Sequence, residues 1–466
     1  MKNILNIVSA IIFSTLFYKQ SIGLNLLIFT FLTILVLSIS DYEILKNQKK
    51  TIIKMLLYLI TGVAVFLYSS SLAITANIFA LITVVGSFSE NKASIYIIWL
   101  NGTYSSIVSV FAKYFDNLQN EVVSVKKKKI NFIYWTKIII PIVLIIILFI
   151  NLYRSGNPMF DNLISDINLD FINFKWMLFT GFGYYLFNNI TNPIKIEPAT
   201  QIDLKTANDL YEDSSNKPSI KKLVQENQLG LILMSLLNVL IVIYLITDFM
   251  YITKIQQLTA VQLSQQVHSG INSLIASIVL AIFIILYLFR GDLNFFNKSK
   301  LLKSLTFTWI FLNLILSFIT TFKNYEYLST FGLTYKRIGV LIYLTLTIIG
   351  LLTTFIKVYK IKNIWFILRL NSKIAFLILI TTATINWDNL ITYYNINYAQ
   401  KTDFEYLINL SNNNTFLLKK LAETNTTINE KIKNDIFHKE KNYKFDLKNN
   451  SWKEMVFDNI KLNKQQ

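Results

Sequence analysis

His268 is the first residue to consider for acid–base chemistry, because the 466-residue chain has only two histidines. It opens an apolar run that continues to Arg290 with no charged residue between them. As a general base, a histidine needs an orienting group within hydrogen-bond reach. Asp248, at the end of the preceding apolar run, is a candidate for that group. The sequence leaves two interpretations open, a proton-handling residue or a polar residue at a membrane boundary, and favours the second.

The chain carries no pattern that is typical of a metal or catalytic centre. The second histidine, His438, lies in FHKEKN, which lacks the His-Glu-x-x-His spacing of a zinc helix. The absence of cysteine excludes disulfides, thiolate nucleophiles and cysteine-ligated metals. There is also no glycine-rich phosphate loop, nucleophile elbow or paired-carboxylate motif. We therefore predict no catalytic residue, no metal and no cofactor, and the sequence leans away from an enzyme.

Four consecutive lysines form the densest basic run of the chain, at Lys126, Lys127, Lys128 and Lys129. Such a cluster beside a membrane attracts anionic lipid headgroups, with about 1 kcal/mol per lysine near the surface. It also acts as an ordinary cytoplasmic anchor, and the two roles are compatible. We predict that these lysines contact anionic headgroups.

The elements that must position these residues are membrane helices. Hydrophobic residues make up 53% of the chain and charged residues 15%, whereas average soluble domains carry roughly 25% charge. The net charge of +18 would suggest a nucleic-acid partner in a soluble protein. In a membrane protein, lysine and arginine instead mark cytoplasmic loops, so we predict the lipid bilayer as a partner and no nucleic acid.

Eleven apolar runs are candidates for crossing a membrane, which takes about 20 residues in a helix. They lack the polar–apolar alternation of lipid-facing strands, so the predicted fold is an all-α polytopic membrane protein with a transmembrane domain over residues 1–387. The first run lacks a signal-peptide cleavage pattern and is interpreted as an uncleaved span. The predicted spans are Ile4–Tyr18, Ser21–Ser40, Ile52–Tyr68, Leu72–Phe88, Phe132–Tyr153, Phe171–Ile190, Leu229–Phe249, His268–Phe289, Leu302–Phe322, Ile338–Ile356 and Ile374–Trp387.

The spans carry no charged residue or histidine near their centres. Ionisable groups at depth mark proton relays and ion-coupled carriers, so their absence disfavours a proton-coupled transporter. The polar residues at mid-span are Asn238 and Asn313. We interpret both as partners in interhelical hydrogen bonds, each worth roughly 1 kcal/mol.

The distribution of basic residues predicts the orientation. With the N-terminus inside, twenty-six basic residues fall in inner loops and seven in outer loops, as the positive-inside rule requires. An odd number of spans then places the tail, residues 388–466, outside the cell membrane. The predicted location is a bacterial inner membrane.

Three segments fall outside this pattern of spans. Residues 93–112 carry no charge but contain four serines and Asn101, and we predict an interfacial or re-entrant helix there. Residues 191–228 are predicted to be an inner loop, irregular at first and then helical. The apolar spacing in the tail predicts two or three short amphipathic helices.

Several polar motifs fall on the predicted outer side and together suggest a binding surface. They are RSGNPMFD (154–161), Asp248, His268, FGLTYKR (331–337) and NWDN (386–389). The same surface could equally be where the tail docks. The predicted binding residues of this outer cap are His268, Asn272, Asp248, Arg337, Asn386 and Asp388.

Several stretches resemble, in order, blocks of a bacterial family of polytopic membrane proteins. These stretches are LFYKQSIGLNL, SGNPMF, VHSGINSLIASIVLAI, FGLTYKRIGVLIYL and INWDNLITYYNI followed by DFEYLINLS, between about Phe17 and Ser411. The family is the domain of unknown function 4173, with a relative numbered 4153, and the chain departs from it at Lys19, where the pattern has glycine. The resemblance implies a multi-pass inner-membrane protein and brings no reaction with it. Its motif positions are Asn157, Pro158, Gly270, Asn272, Gly332, Thr334, Arg337, Asn386 and Asp388.

Three functions remain open from the sequence. The favoured one is a non-enzymatic envelope scaffold or sensor-like component whose outer cap and tail bind an envelope protein partner. The second is a transporter or flippase for a neutral or lipid-linked substrate, which requires a polar cavity near Asn238 and Asn313. The third is a transferase at the outer face that uses His268 and Asp388.

Overall fold

The structure is a computed structural model that describes residues 2–121, 173–212, 218–252, 260–424 and 428–463, and parts of 142–160. Within the helices, only the backbone is described at residues 44, 47, 113–121, 251–252 and 260–273. Every regular element in the described chain is a helix, besides one isolated bridge between Asp209 and Lys362. The predicted all-α class is therefore confirmed for this part of the chain.

The helices before residue 253 are α1 Lys2–Phe17, α2 Leu24–Ser40, α3 Tyr42–Asn47, α4 Lys49–Tyr68, α5 Ser71–Ser89, α6 Ile95–Glu121, α7 Phe174–Ile190, α8 Glu197–Lys205 and α9 Ile220–Ile252. Those after it are α10 Ala260–Leu288, α11 Lys300–Phe331, α12 Tyr335–Tyr359, α13 Ile364–Ala383, α14 Trp387–Asn397, α15 Phe404–Ile408, α16 Thr415–Thr424, α17 Glu430–Asn449 and α18 Phe457–Asn463.

Seven helices in the described residues are long and apolar enough to cross a membrane. They lie within α4, α5, α6, α9, α11, α12 and α13, and three shorter apolar helices are Lys2–Phe17, Leu24–Ser40 and Leu274–Leu288. The predicted number of eleven spans is thus not confirmed, although a membrane protein is supported. The predicted span 132–153 lies mostly outside the described residues.

Several apolar clusters hold the helices together. One joins α9, α10, α11 and α12 around residues such as Ile278 and Leu302, both fully buried. Another joins α1, α2, α4, α5 and α7 around residues such as Val65 and Phe187. A third joins α13 to α2, α4 and α5. Large apolar side chains also face outward along the same helices, for example Leu240 and Phe311, which are 61% and 62% exposed. An apolar exterior of this kind suits contact with lipid and would be costly in water.

The bundle has two distinct ends. At the first, here named the loop end, Lys2 of α1 pairs with Asp41 at 3.0 Å and its ammonium donates to the Thr191 carbonyl at 3.4 Å. At the other, here named the tail end, the chain after Ala383 contacts the turn between α1 and α2. The N-terminus and the C-terminal tail therefore lie at opposite ends of the bundle.

The last predicted span, Ile374–Trp387, begins too late. The helix α13 starts at Ile364 and includes Arg369 and Lys373, which the apolar pattern placed in a loop. The helix can start earlier because Arg369 has partners at the loop end. The Arg369 guanidinium donates to Asp203 Oδ1 at 3.0 Å and to the Thr206 carbonyl at 2.9 Å. An arginine that reaches such partners can begin a membrane helix, because its charge is kept out of the hydrocarbon.

Asp203 gathers several donors besides Arg369. The Ser94 amide donates to it at 2.7 Å and the Tyr96 hydroxyl at 3.0 Å, and the residue is only 8% exposed. Burial opposes ionisation of Asp203, but the hydrogen bonds from Ser94 and Tyr96 and the Arg369 guanidinium outweigh it and hold its pKa below the usual range.

This lowered pKa makes a testable prediction for Asp203→Asn. A carboxylate with a lowered pKa in the folded state stabilises the protein above its unfolded pKa, about 3.9, and this contribution is lost as the pH falls through the folded value. At pH 7 we expect the variant to unfold more easily than the wild type by about 2 kcal/mol, the worth of a hydrogen bond to a charged group. Unfolding curves in detergent at falling pH should show this difference shrinking below pH 4. A difference that stays constant down to pH 3 would contradict the assignment.

Helix α6 packs backbone to backbone against α5. A Cβ built on Gly86 would lie 1.9 Å from the Ile98 carbonyl oxygen, and one on Gly102 would lie 2.0 Å from that of Ile82. Trp99 Nε1 also donates to the Thr83 hydroxyl at 2.8 Å. Glycine is required at both positions because no side chain fits between the two backbones.

The polar face of α6 explains its unusual composition. Asn101, Ser105 and Ser109 are fully buried and bind the segment 189–200, where Ser105 donates to the Ile194 carbonyl at 2.8 Å and Ser109 to that of Asn189 at 2.9 Å. Residues 95–112 are nevertheless apolar and long enough to count among the candidate spans. The interfacial placement of this helix stays a prediction.

The segment predicted to be an inner loop begins without regular structure and then forms a helix. The chain is non-helical from Thr191 to Ile196, and α8 then begins at Glu197. The tail is more structured than predicted. It contains five described helices instead of two or three, and one of them, α17, has 20 residues. Asp403 and Asn429 start two of these helices by accepting hydrogen bonds from backbone amides.

Candidate functional site at the tail end

The turn between α11 and α12 is built around a glycine that nothing else could replace. Gly332 has φ +79°, and a Cβ there would lie 2.6 Å from Asn395 Oδ1. Asn395 of α14 clamps the turn, because its amide donates to the Leu333 carbonyl at 2.9 Å and its oxygen accepts from the Leu333 amide. The turn is therefore fixed to the first helix of the tail.

Arg337, a predicted binding residue, closes this turn from the other side. Its guanidinium donates to the Phe331 carbonyl at 2.8 Å and to the Gly332 carbonyl, and lies over the Tyr327 ring at 4.0 Å. These contacts use the charge to satisfy carbonyls at the end of α11. Arg337 has a structural role in this geometry.

Asp388 is a buried hydrogen-bond acceptor at the tail end. It is 2% exposed and accepts hydrogen bonds from the Tyr335 hydroxyl at 2.7 Å, from the Ser411 hydroxyl and from the Asn413 amide at 3.4 Å. The motifs 331–337 and 386–389 therefore meet through Tyr335 and Asp388. Sequence reasoning identified Asp388 but none of its three partners.

Lys439 braces the loop that supplies two of those partners. Its ammonium donates to the carbonyls of Ile408 and Leu410 at 2.8 Å, and to Ser411 O and Asn414 Oδ1 at 3.0 Å. Burial lowers the pKa of Lys439 to about 8, and the nearby charge of Asp388 partly opposes this. The sequence offered no signal for this lysine, which is one of many in a basic tail.

The remaining predicted binding residues have separate places. Asn386 is the N-cap of α14, where its oxygen accepts from the Asn389 amide at 3.1 Å. Asp248 forms a largely buried ion pair with Lys323 that joins α9 to α11, and its described contacts do not include Arg337 or Asp388. His268 and Asn272 lie in α10, where only the backbone is described. Lys126 to Lys129 lie outside the described residues, so their lipid contact stays a prediction.

A second attachment ties the far end of the tail to the turn between α1 and α2. The Leu24 amide donates to the Met455 carbonyl and the Asn25 amide to that of Lys453, both at 2.8 Å, and the Ser21 amide donates to Glu454 at 2.6 Å. Backbone hydrogen bonds from Ser21 and Ser451 lower the pKa of Glu454. Lys19 replaces the glycine of the family pattern in this turn, but it adopts the left-handed backbone conformation that glycine favours, with φ 54°.

A polar cleft lies within the tail itself. It has a volume of about 1010 Å³ and lies between the segment 402–412 and α17. Its charged lining includes Asp403, Asp435 and Lys431, and His438, the histidine that sequence reasoning set aside, lines it too. Among the described residues, no group of three potential ligands is arranged to hold a metal ion. The cleft suits a polar partner with charges of both signs.

Comparison with known proteins identifies the family. A family model described as "Domain of unknown function (DUF4153)" matches residues 7–421. The chain belongs to the DUF4153 family. The match covers both halves of the tail-end site in this DUF4153 protein, from the turn after α1 to Asn413, but ends before Lys439 and Glu454. Family 4153 is the relative that the sequence resemblance named, and the match does not extend to family 4173 itself. Searches of curated proteins and of solved structures gave no significant match.

Proposed function

We propose that this membrane protein is a non-enzymatic scaffold or sensor-like component, in which the tail forms a fixed receptor surface for an envelope protein partner. The observation that carries the proposal is the double attachment of the tail, at Asp388 and at residues 453–455. A tail held at two distant points keeps one position relative to the bundle. The polar cleft it encloses is then a pre-formed surface, which lowers the entropic cost of binding.

The proposal predicts position-specific contacts in cells. A photo-reactive residue in place of Asn442, which lines the cleft, should give a discrete cross-linked product with a partner. The matched control is Lys441, an exposed neighbour on α17 that does not line the cleft. The Asn442 product should weaken when Asp388→Ala removes the first of the two attachments. Equal products from both positions would contradict the proposed receptor surface.

We also propose a bacterial inner membrane as the location, with the N-terminus in the cytoplasm and the tail outside. The lysine and arginine distribution and the opposite positions of Lys2 and the tail support this orientation. A reporter that is active only outside the cytoplasm should therefore work when fused after Gln466. A fusion after Asn47, close to Asp41 at the loop end, is the control and should be inactive. The reverse pattern would overturn the orientation.

Transport of a neutral or lipid-linked substrate is the main alternative. The Asn238 amide donates to the Met234 carbonyl at 2.7 Å and to the Leu305 carbonyl at 3.0 Å. The bond to Leu305 joins α9 to α11 and is the interhelical bond predicted from the sequence. A flippase would accelerate the movement of a labelled lipid between the leaflets of reconstituted vesicles, whereas a scaffold would not. The transferase alternative requires a carboxylate beside His268. Under this alternative, His268→Ala would abolish the transferase activity.

A further inference from the structure

A lateral crevice opens between α9 and α10 in the middle of the bundle. Both helices pack against α11, and in the described residues they make few contacts with each other, so α11 forms the floor of a space of about 410 Å³. Small residues of α10, Ser277 and Ala281, create the room because they occupy successive turns of one helix face. The volume falls in the range of about 300–1,000 Å³ that is usual for ligand sites.

The mouth of the crevice lies on the surface that faces lipid, and its floor does not. Leu240 at the mouth is 61% exposed, whereas Trp309 and Asn313 on the floor are 4% and 2% exposed. Asn313 is close to the middle of α11, Lys300–Phe331. An entrance at this depth is open to the hydrocarbon of a bilayer and distant from water.

Two polar side chains of the crevice donate within their own helices. The Asn313 amide donates to the Trp309 carbonyl at 2.8 Å and the Ser277 hydroxyl to the Leu274 carbonyl at 2.7 Å. The other walls are mainly apolar, as at Leu240 and Ile241. A polar solute would lose its hydration here without recovering equivalent hydrogen bonds, whereas a hydrocarbon chain would gain contacts with the walls.

We propose that this crevice binds one acyl chain of a bilayer lipid, inserted sideways between α9 and α10 with its methylene groups against Trp309 and Asn313. This binding site goes beyond the proposed scaffold function and does not depend on it. The occupant follows from the lateral entrance, its depth and the mainly apolar walls. It also gives a reason for the small side chains of α10 at positions 277 and 281.

The test uses the full chain in phosphatidylcholine vesicles that contain a phospholipid with a photo-reactive diazirine in its acyl chain. Labelled residues are mapped by mass spectrometry after illumination. Phe311, on the lipid-facing side of α11 and 62% exposed, reports ordinary lipid contact. We expect labelling at Trp309 and Asn313 as well, although surface lipid cannot reach these buried residues. Labelling confined to exposed positions such as Phe311 would overturn the proposal.

Two substitutions that fill the crevice provide the specific control. Ala281→Phe should reduce labelling at Trp309 several-fold and leave Phe311 unchanged. Ser277→Leu should act in the same direction if Ala281→Phe does not fold. The matched variant Ala276→Phe changes an exposed residue of α10 outside the crevice, and should have no effect at Trp309. Labelling at Trp309 that persists in both crevice variants would refute the site.

A second copy of the chain is the competing occupant. Because the chain has no cysteine, Leu240→Cys would carry the sole thiol, placed at the mouth of the crevice. We expect it to stay monomeric under oxidation in vesicles. A disulfide-linked dimer at this position would mean that a neighbouring protomer fills the crevice, which would contradict lipid binding.

Discussion

Asp388→Ala should loosen the first attachment of the tail to the bundle and lower the free energy of unfolding of the tail by about 3 kcal/mol. The substitution removes the acceptor for the hydroxyls of Tyr335 and Ser411. A buried donor left without a partner costs about 1–3 kcal/mol, and both donors lose theirs together. Hydrogen–deuterium exchange should show faster exchange over residues 404–424, and limited proteolysis should cut the tail at lower protease concentrations.

Glu423→Ala is the matched control for Asp388. It also removes a tail carboxylate, but Glu423 is 53% exposed and its ion pair with Lys419 lies at the surface, where such pairs contribute at most about 1 kcal/mol. Tyr335→Phe should reproduce part of the Asp388 effect. In the double variant the two effects should be less than additive, because they share one hydrogen bond. Full additivity would mean that Tyr335 and Asp388 act independently, against the geometry.

Gly86→Ala should destabilise the first half of the bundle by about 3 kcal/mol or more, since overpacking of a tight core typically costs 1–3 kcal/mol. The added methyl would lie 1.9 Å from the Ile98 carbonyl oxygen and 2.9 Å from the Gly102 amide nitrogen. Both are backbone atoms, so α5 and α6 must separate along their crossing. Thermal unfolding in detergent should show a clearly lower midpoint, and Gly102→Ala should behave alike.

Gly339→Ala controls for the change of residue type. Gly339 also lies in a helix, α12, but a Cβ there would meet no atom within 4 Å. Alanine favours a helix over glycine by about 1 kcal/mol, so this variant should be as stable as the wild type or slightly more so. If Gly86→Ala were equally harmless, the close contact of α5 and α6 would be wrong.

The sequence predicted features that depend on local composition. Apolar runs indicated most of the membrane helices. The end of α13 nearest Asp203 was missed, because Arg369 looks like a loop residue until its carboxylate partner is known. The polar face of α6 was noticed, but its partners around Ile194 were not.

What the sequence by itself determined is therefore the membrane class and the helical fold, and it drew attention to the motifs at 331–337 and 386–389. Only the tertiary structure decided that these two motifs meet, that Ser411 and Lys439 complete the site, and that the turn after α1 holds the far end of the tail. The physical reason is the range of the interactions. Helix formation follows from periodicity within one segment, whereas a hydrogen bond between Tyr335 and Asp388 depends on how separate segments pack.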